Sequence, residues 1–399
     1  MNRIIVIVCF LAFSGLAAAQ DNADLLMRAK ALIDRGKPSD AITLLADQTT
    51  SSDARIWIMI AGARVNAGDY HGASYDYEEA NRFLPGSGEY GLSRISALKG
   101  DVRNALSHLD LSMQSQFRKS EKEIMLDPAF SVIENTPEWR SFWKTERYSF
   151  TERKIPEMEY YLSTGNREEA MKILDDLKSL YPEDNKTLYA TALAYNSQQK
   201  YSEALTILAK LTADEKNDES YLKLMAAVQT ASGNPAGASS TYSLLLSMGV
   251  NDATLYMKRA ECYRKTGETD KAVGDLEKYL TMYPDNPEAL SLTGKLVAAN
   301  GDNLKALDLF TQNLKLHPND PQCYIDRANS YFNSRSWEYA INDYSMSLDL
   351  KPDNPDVWLN KGISLLNAGK KEDACHDFRR ALALGNKKAA NYISNNCIK

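Results

Sequence analysis

Apolar and polar positions along this chain follow a long period as well as a short one. Alanines 170, 204, 238, 272, 306, 340 and 374 stand 34 residues apart, with no insertion or deletion between them. Let units begin at Thr151, Asn185, Glu219, Ala253, Pro287, Pro321 and Pro355; the alanines then occupy position 20. Position 8 is mostly small: Met158, Ala192, Ala226, Ala260, Gly294, Ala328, Gly362. Position 24 is always large: Leu174, Leu208, Tyr242, Leu276, Phe310, Tyr344, Phe378. Position 11 favours tyrosine, in Tyr161, Tyr195, Tyr263 and Tyr331. Small residues at 8 and 20 let two helices approach, and large ones at 11 and 24 fill the space beside that contact. Glycine at position 15 (Gly165, Gly233, Gly267, Gly301, Gly369) predicts a left-handed end to the first helix. Proline at position 32 (Pro182, Pro284, Pro318, Pro352) predicts the end of the second. Each unit is therefore expected to be a helix hairpin that buries its apolar face on its neighbours.

Seven copies in register resemble the tetratricopeptide repeat family. The unit from Pro355 carries Trp358, Gly362, Ala374, Phe378 and Ala381 at the family's positions. The resemblance implies an all-α fold, an α-α superhelical solenoid of tetratricopeptide-type hairpins over residues 151–388. Residues 389–399 would be a capping helix, with Ala389, Ala390, Tyr392 and Ile393 as its apolar contacts.

The pattern is looser before residue 151. Gly36, Ala41 and Leu45 fit one unit; Trp57, Gly68, Ala73, Tyr77, Ala80 and Pro85 a second; Gly100, Ala105 and Leu109 a third. Residues 20–117 are thus expected to form a degenerate array of about three repeats. Between 118 and 150 the period breaks. Pro128 and Pro137 accompany Phe130, Trp139, Phe142, Trp143, Tyr148 and Phe150. This connecting segment is either an exposed aromatic patch for a partner or a packed plug at the end of the first array. Large exposed apolar patches are rare on monomers, which favours the plug.

The first residues change the picture of compartment. MNRIIVIVCFLAFSGLAAAQ has a basic residue, a short apolar run and a small-residue exit, the pattern of a signal peptide over residues 1–19. No comparably long apolar run follows, so no transmembrane segment is expected after cleavage, and the chain is read as exported and soluble, periplasmic or otherwise extracytoplasmic. The run ACHDFRRALALGNKKAANYISNNC is similar to the endings of exported repeat proteins of Gram-negative bacteria. Lys and Arg number 47 against 53 Asp and Glu, a net charge of −6, and the signs are interspersed. This argues against nucleic-acid partners and a polybasic membrane patch. Cys375 and Cys397 fall on neighbouring helices and form a candidate disulfide in an oxidising compartment. Cys262 and Cys323 are expected to be buried thiols.

Motifs for chemistry are sparse. Gly86-Ser87-Gly88-Glu89-Tyr90-Gly91 satisfies G-x-G-x-x-G, but it follows a helix and sits in an inter-repeat turn, where dinucleotide binding needs a preceding strand. His71, His108, His317 and His376 are isolated, with no metal-ligand spacing. No catalytic, cofactor or metal residue is assigned, and no cofactor is expected. Asn185-Lys186-Thr187 matches the N-glycosylation triplet, which also arises by chance.

Under the resemblance, the first helices line a concave groove. Its positions give Tyr189, Asn196, Lys223, Met257, Glu261, Arg264, Lys295, Ile325, Asn329 and Phe332. Tyr189, Met257, Ile325 and Phe332 would anchor a ligand around a charged cluster of Glu261, Arg264 and Lys295. Lys223 is followed by Leu224 and Ala227, so the family's clamp for a terminal carboxylate is not expected. The function implied is a non-catalytic protein-protein interaction scaffold in the cell envelope, with protein or peptide partners. Capture of exported peptides is the rival within binding, and an enzyme with an unrecognised site the rival from another class.

Overall fold

The computed structural model describes residues 22–48 and 51–397, so the expected signal peptide lies outside the described residues. These residues are helical with short connections, and no strand occurs among them. They form two compact bodies, one up to Leu255 and one from Tyr256.

The first body opens with α1 (22–34), α2 (Pro38–Leu45), α3 (Ala54–Asn66), α4 (Tyr70–Phe83), α5 (Glu89–Leu98) and α6 (Val102–Gln114). Two short helices follow, α7 (Glu121–Met125) and α8 (Pro137–Phe142). Hairpins resume with α9 (Phe150–Ser163), α10 (Arg167–Leu180), α11 (Asn185–Ser197), α12 (Tyr201–Asp214), α13 (Glu219–Ala231) and α14 (Pro235–Ser247). The division between the bodies falls within the first turn of α15 (Thr254–Thr266). The second body continues with α16 (Thr269–Met282), α17 (Pro287–Ala299), α18 (Asn303–Leu316), α19 (Pro321–Asn333), α20 (Trp337–Leu350), α21 (Pro355–Asn367), α22 (Lys371–Ala383) and α23 (Ala389–Asn396).

The period explains these boundaries. All seven position-20 alanines, and Ala41, Ala73 and Ala105 before them, are 0% exposed. Position 8 shrinks where position 24 is phenylalanine. A Cβ added at Gly294 would lie 2.5 Å from the Phe310 ring, and one at Gly362 would lie 2.7 Å from Phe378. Position 15 is left-handed even where glycine is missing: Gln199 has φ 61° and Arg335 φ 59°. The hairpin imposes that turn on whatever residue stands there. A feature absent from the sequence reading closes each unit. Asp184, Asp218, Asn286, Asp320 and Asn354 each accept an N–H of the following first helix, satisfying a donor that the helix start leaves free.

Residues 118–150 pack as a plug. Phe130, Trp139 and Tyr148 join Ile124 and Ile133 in one cluster with Ala97, Ala105, Leu109 and Met113 of α5 and α6. Phe130 stacks on Trp139 at 5.2 Å, and Trp139 meets Trp143 edge-on at 5.7 Å. Polar ties fix the segment: Tyr90 donates to Asp127 at 2.8 Å, Arg94 pairs with Asp127 at 2.7 Å, and Arg147 pairs with Asp110. At the other end of the chain α23 covers the last hairpin. Tyr392 stacks on Phe378 at 5.0 Å, and Cys375 and Cys397 are joined by a disulfide, Cα to Cα 5.6 Å. Cys262 and Cys323 are buried and take no part in a disulfide.

Candidate functional site

The most developed polar site lies in the second body, between α17, α18 and α19. First helices touch there directly, α17 on α19 and α19 on α21, which places their free faces side by side. Lys295 of α17 reaches Asp326 of α19 at 2.9 Å and donates to Ser291 Oγ at 2.9 Å. Asp326 is 2% exposed and also accepts from Gln322 Nε2 at 2.7 Å and from the Ser291 hydroxyl. A cavity of 280 Å³ opens beside this pair. Lys295, Asp326, Asn329 and Ser330 line it, with Ala298, Ala299 and Phe310 as its apolar wall and Asn303 and Asn333 completing it. Cys323 sits near the same carboxylates; burial, then Asp320 and Asp326, push its thiol up to about 11.

Of the expected charged cluster, two members pair with each other and the third pairs with a different residue. Glu261 and Arg264 bind each other on α15 through two hydrogen bonds of 2.7 Å, and that bond holds Glu261 below the usual carboxylate range. Lys295 is instead engaged by Asp326, a residue the sequence reading missed because position 6 was not among the groove positions. Ile325 and Phe332 pack partly into the cluster of Ala328, Ala340, Tyr344 and Leu348, so they are half-buried anchors rather than free ones. Phe332 meets Trp337 edge-on at 5.5 Å. Asn329 accepts from the Tyr344 hydroxyl at 2.7 Å. Met257 is half-buried on α15.

A second missed pattern ties first helix to second inside the hairpins. Arg259 grips Asp275 through two bonds of 2.7 Å, and Arg327 grips Asp343 at 2.7 and 2.8 Å. Lys361 and Asp377 form a looser pair at 3.3 Å. All three join positions 7 and 23 of their units, and the carboxylates are buried. Two-point Arg–carboxylate geometry fixes orientation as well as charge.

In the first body, the Tyr189 hydroxyl donates to Glu159 at 3.2 Å and its ring packs on Tyr221 at 5.5 Å. Burial, then Glu159, holds its phenol above the ordinary value. Asn196 is half-buried on α11, and Lys223 pairs with Glu219 at 2.7 Å. A cavity of 370 Å³ between α7 and α9 is lined by Met125, Pro156 and Tyr160 under a rim of Glu121, Lys122, Glu152, Arg153 and Glu157. The glycines of the G-x-G-x-x-G stretch serve packing. Gly88 donates to Asn81 at 2.7 Å, and a Cβ at Gly91 would lie 2.1 Å from the Tyr77 ring. In the glycosylation triplet Thr187 is 1% exposed, and Asn185, at the first position of α11, donates to Glu215 at 2.9 Å. Among the described residues no three His, Cys, Asp or Glu side chains gather as a metal site, and no helix is long and apolar enough to cross a membrane.

Residues 228–287, 257–321 and 325–389 each match the family model of the tetratricopeptide repeat. Residues 228–321 and 325–389 are tetratricopeptide repeats. Over 80 residues it is 36% identical to DnaJ homolog subfamily C member 3 of Gallus gallus, covering 20% of this chain and 16% of that protein. Over 160 residues it is 26% identical to ER membrane protein complex subunit 2 of Xenopus tropicalis, 39% of this chain and 54% of that one. The chain thus spans at most about half the length of these curated relatives. The solved C-terminal part of a TPR repeat-containing protein from Cytophaga hutchinsonii superposes with a TM-score of 0.51 at 17% identity, over 59% of this chain and 98% of that chain. That likeness is one of fold. Tetratricopeptide repeats are in general protein-interaction scaffolds and typically non-catalytic.

Proposed function

We propose that this protein is a non-catalytic interaction scaffold of the cell envelope, holding peptide segments or partner helices along its first-helix face. One observation carries the reading. On α19, Ile325, Asn329 and Phe332 fall at i, i+4 and i+7, one half-buried stripe, and Lys295 of α17 and its cavity lie beside it. Apolar anchors next to oriented polar groups suit an extended peptide or an amphipathic helix better than they suit catalysis. The envelope location rests on the sequence of residues 1–19, and a mature N-terminus at Gln20, read by mass spectrometry, checks it.

Photo-crosslinking in cells tests the face. Crosslinkers placed at Lys295 and Phe332 should capture the same partner, and one at Leu304, 79% exposed on α18, should not. Equal capture from Leu304 would remove the basis for a dedicated face.

A further inference from the structure

The cavity between α17, α18 and α19 has a polarity that selects what enters it. Its two charged groups, Lys295 and Asp326, cancel each other at 2.9 Å. Asp326 already accepts from Lys295, Gln322 and Ser291. Asn329 is oriented from beneath. Tyr344 is fully buried, burial keeps its phenol above the ordinary value, and it therefore remains a donor to Asn329 Oδ1 at 2.7 Å. With Oδ1 engaged, the Nδ2 hydrogens of Asn329 are left for an acceptor outside the core. Ser330 lines the same wall at 7% exposure, and its hydroxyl has no hydrogen-bond partner. A buried hydroxyl left unpaired in a native protein calls for an explanation, and a ligand group is one.

The surroundings exclude charge. A carboxylate entering this space could accept from Asn329 but meets Asp326, and Lys295 is already paired with that residue. An ammonium meets Lys295 and the Asn329 amide hydrogens. Burying a charge with no opposite charge left to pair it is strongly disfavoured. The volume of 280 Å³ lies just below the ~300–1,000 Å³ of small-molecule sites and suits a single side chain. We propose that the cavity receives the carboxamide of a glutamine or asparagine in the bound peptide, its carbonyl accepting from Asn329 Nδ2 and its NH₂ donating to Ser330 Oγ. This rests on the reading that the first-helix face binds peptides, and it specifies one residue of the ligand.

The test is methyl NMR of the full mature chain, read at Ala298 and Ala299. The probes are N-acetyl-glutamine methylamide and its glutamate, lysine and glycine counterparts. The glutamine probe should shift these methyls saturably and bind about tenfold more tightly than the other three, the discrimination expected when a buried polar pair is made or lost. Asn329→Asp preserves the acceptor for Tyr344 but replaces the donor, and should abolish that preference. Ser330→Ala should reduce it while the fold, followed by circular dichroism, is unchanged. Equal binding of the glutamate or glycine probe, or no shift with any probe, overturns the subsite. Crosslinks from Lys295 and Phe332 that persist after such a result leave the peptide-binding face standing; loss of both removes the face as well.

Discussion

The chain up to residue 150 and the hairpins from 287 to 383 solve the same packing problem in different ways. The hairpins reuse a few positions: alanine at 20, a small residue at 8 against a large one at 24, an Asp or Asn cap before each first helix. The earlier part keeps the buried alanine, at Ala41, Ala73 and Ala105, but adds contacts made once. Around Trp139, five aromatic rings interlock with α5 and α6, and no neighbouring copy repeats the arrangement. Buried aspartates show the same contrast. Asp343 is met by Arg327 at two atoms, in hydrogen-bond geometry. Asp76 of α4, 2% exposed, approaches Arg64 Nε at 2.9 Å, yet neither atom has a hydrogen-bond partner, and Asp69 and Glu79 stand nearby. The recurrence is not perfect: Asp377, at the same position as Asp343, meets Lys361 at 3.3 Å and leaves one buried oxygen without a hydrogen-bond partner.

Removing the centre of the plug should break the comparison most. Trp139→Ala deletes a side chain 5% exposed that stacks on Phe130 and meets Trp143 edge-on. A loss of about 3–5 kcal/mol is expected for truncating a buried tryptophan. Hydrogen exchange should show protection falling in α5, α6 and residues 118–148, with α17 to α22 unaffected. Equal loss in both regions would mean that the plug is no separate closure.

Asp76 sharpens the electrostatic half of the contrast. Burial raises its pKa from 3.8 to about 6, with Asp69 and Glu79 adding to the rise and Arg64 opposing it. A carboxyl whose folded pKa lies above its unfolded value favours folding fully below the lower one, and loses that contribution as pH rises through the upper one. Asp76→Asn removes this loss. Its stability relative to wild type should improve between about pH 4 and pH 8 by about 2–3 kcal/mol, less whatever Arg64 forfeits. Denaturation midpoints at the two pH values measure it. The same substitution at Asp343 strips a two-point pair and should destabilise at both.

Ala306 tests the repeated half. It is 0% exposed at the contact between α17 and α18, so Ala306→Leu should cost about 1–3 kcal/mol by overpacking, seen as a lower urea midpoint. Loss of a partner at temperatures where this variant is fully folded would mean that position 20 also carries binding.

Most of the fold was legible because helix packing writes itself into small and large residues at fixed spacing. The units placed from Thr151 onward coincide with the first helices, and Tyr392 and Ala389 make the cap contacts expected of them. The candidate site was legible only in part. Position counting found Lys295, Asn329 and Phe332, but it grouped Lys295 with Glu261 and Arg264, whereas the structure pairs it with Asp326. That pairing crosses from one unit to the next, and a pattern read within units does not show it. The position 7 to 23 ion pairs were visible as Arg259, Arg327 and Lys361 standing 16 residues before Asp275, Asp343 and Asp377, but two helix faces must be superposed in space before the spacing has meaning.

The smallest effect isolates the backbone of the repeat from its side chains. Arg335 is exposed and holds φ 59° at position 15, where the next unit has Gly369 at φ 81°. A left-handed conformation costs a residue with a Cβ roughly 1–2 kcal/mol, and glycine escapes that cost but loses about 0.5–1 kcal/mol more conformational freedom on folding. Arg335→Gly should therefore stabilise the protein by somewhat less than about 1 kcal/mol. The reverse change is the cleaner half of the pair. A Cβ at Gly369 would meet nothing within 4 Å, so Gly369→Ala suffers no clash, and any loss reports the backbone alone. Thermal melts of the two variants should move in opposite directions by a few degrees or less. If both are silent, the hairpin turn relaxes around whatever residue occupies it, and the glycines at position 15 are there for a reason other than their φ.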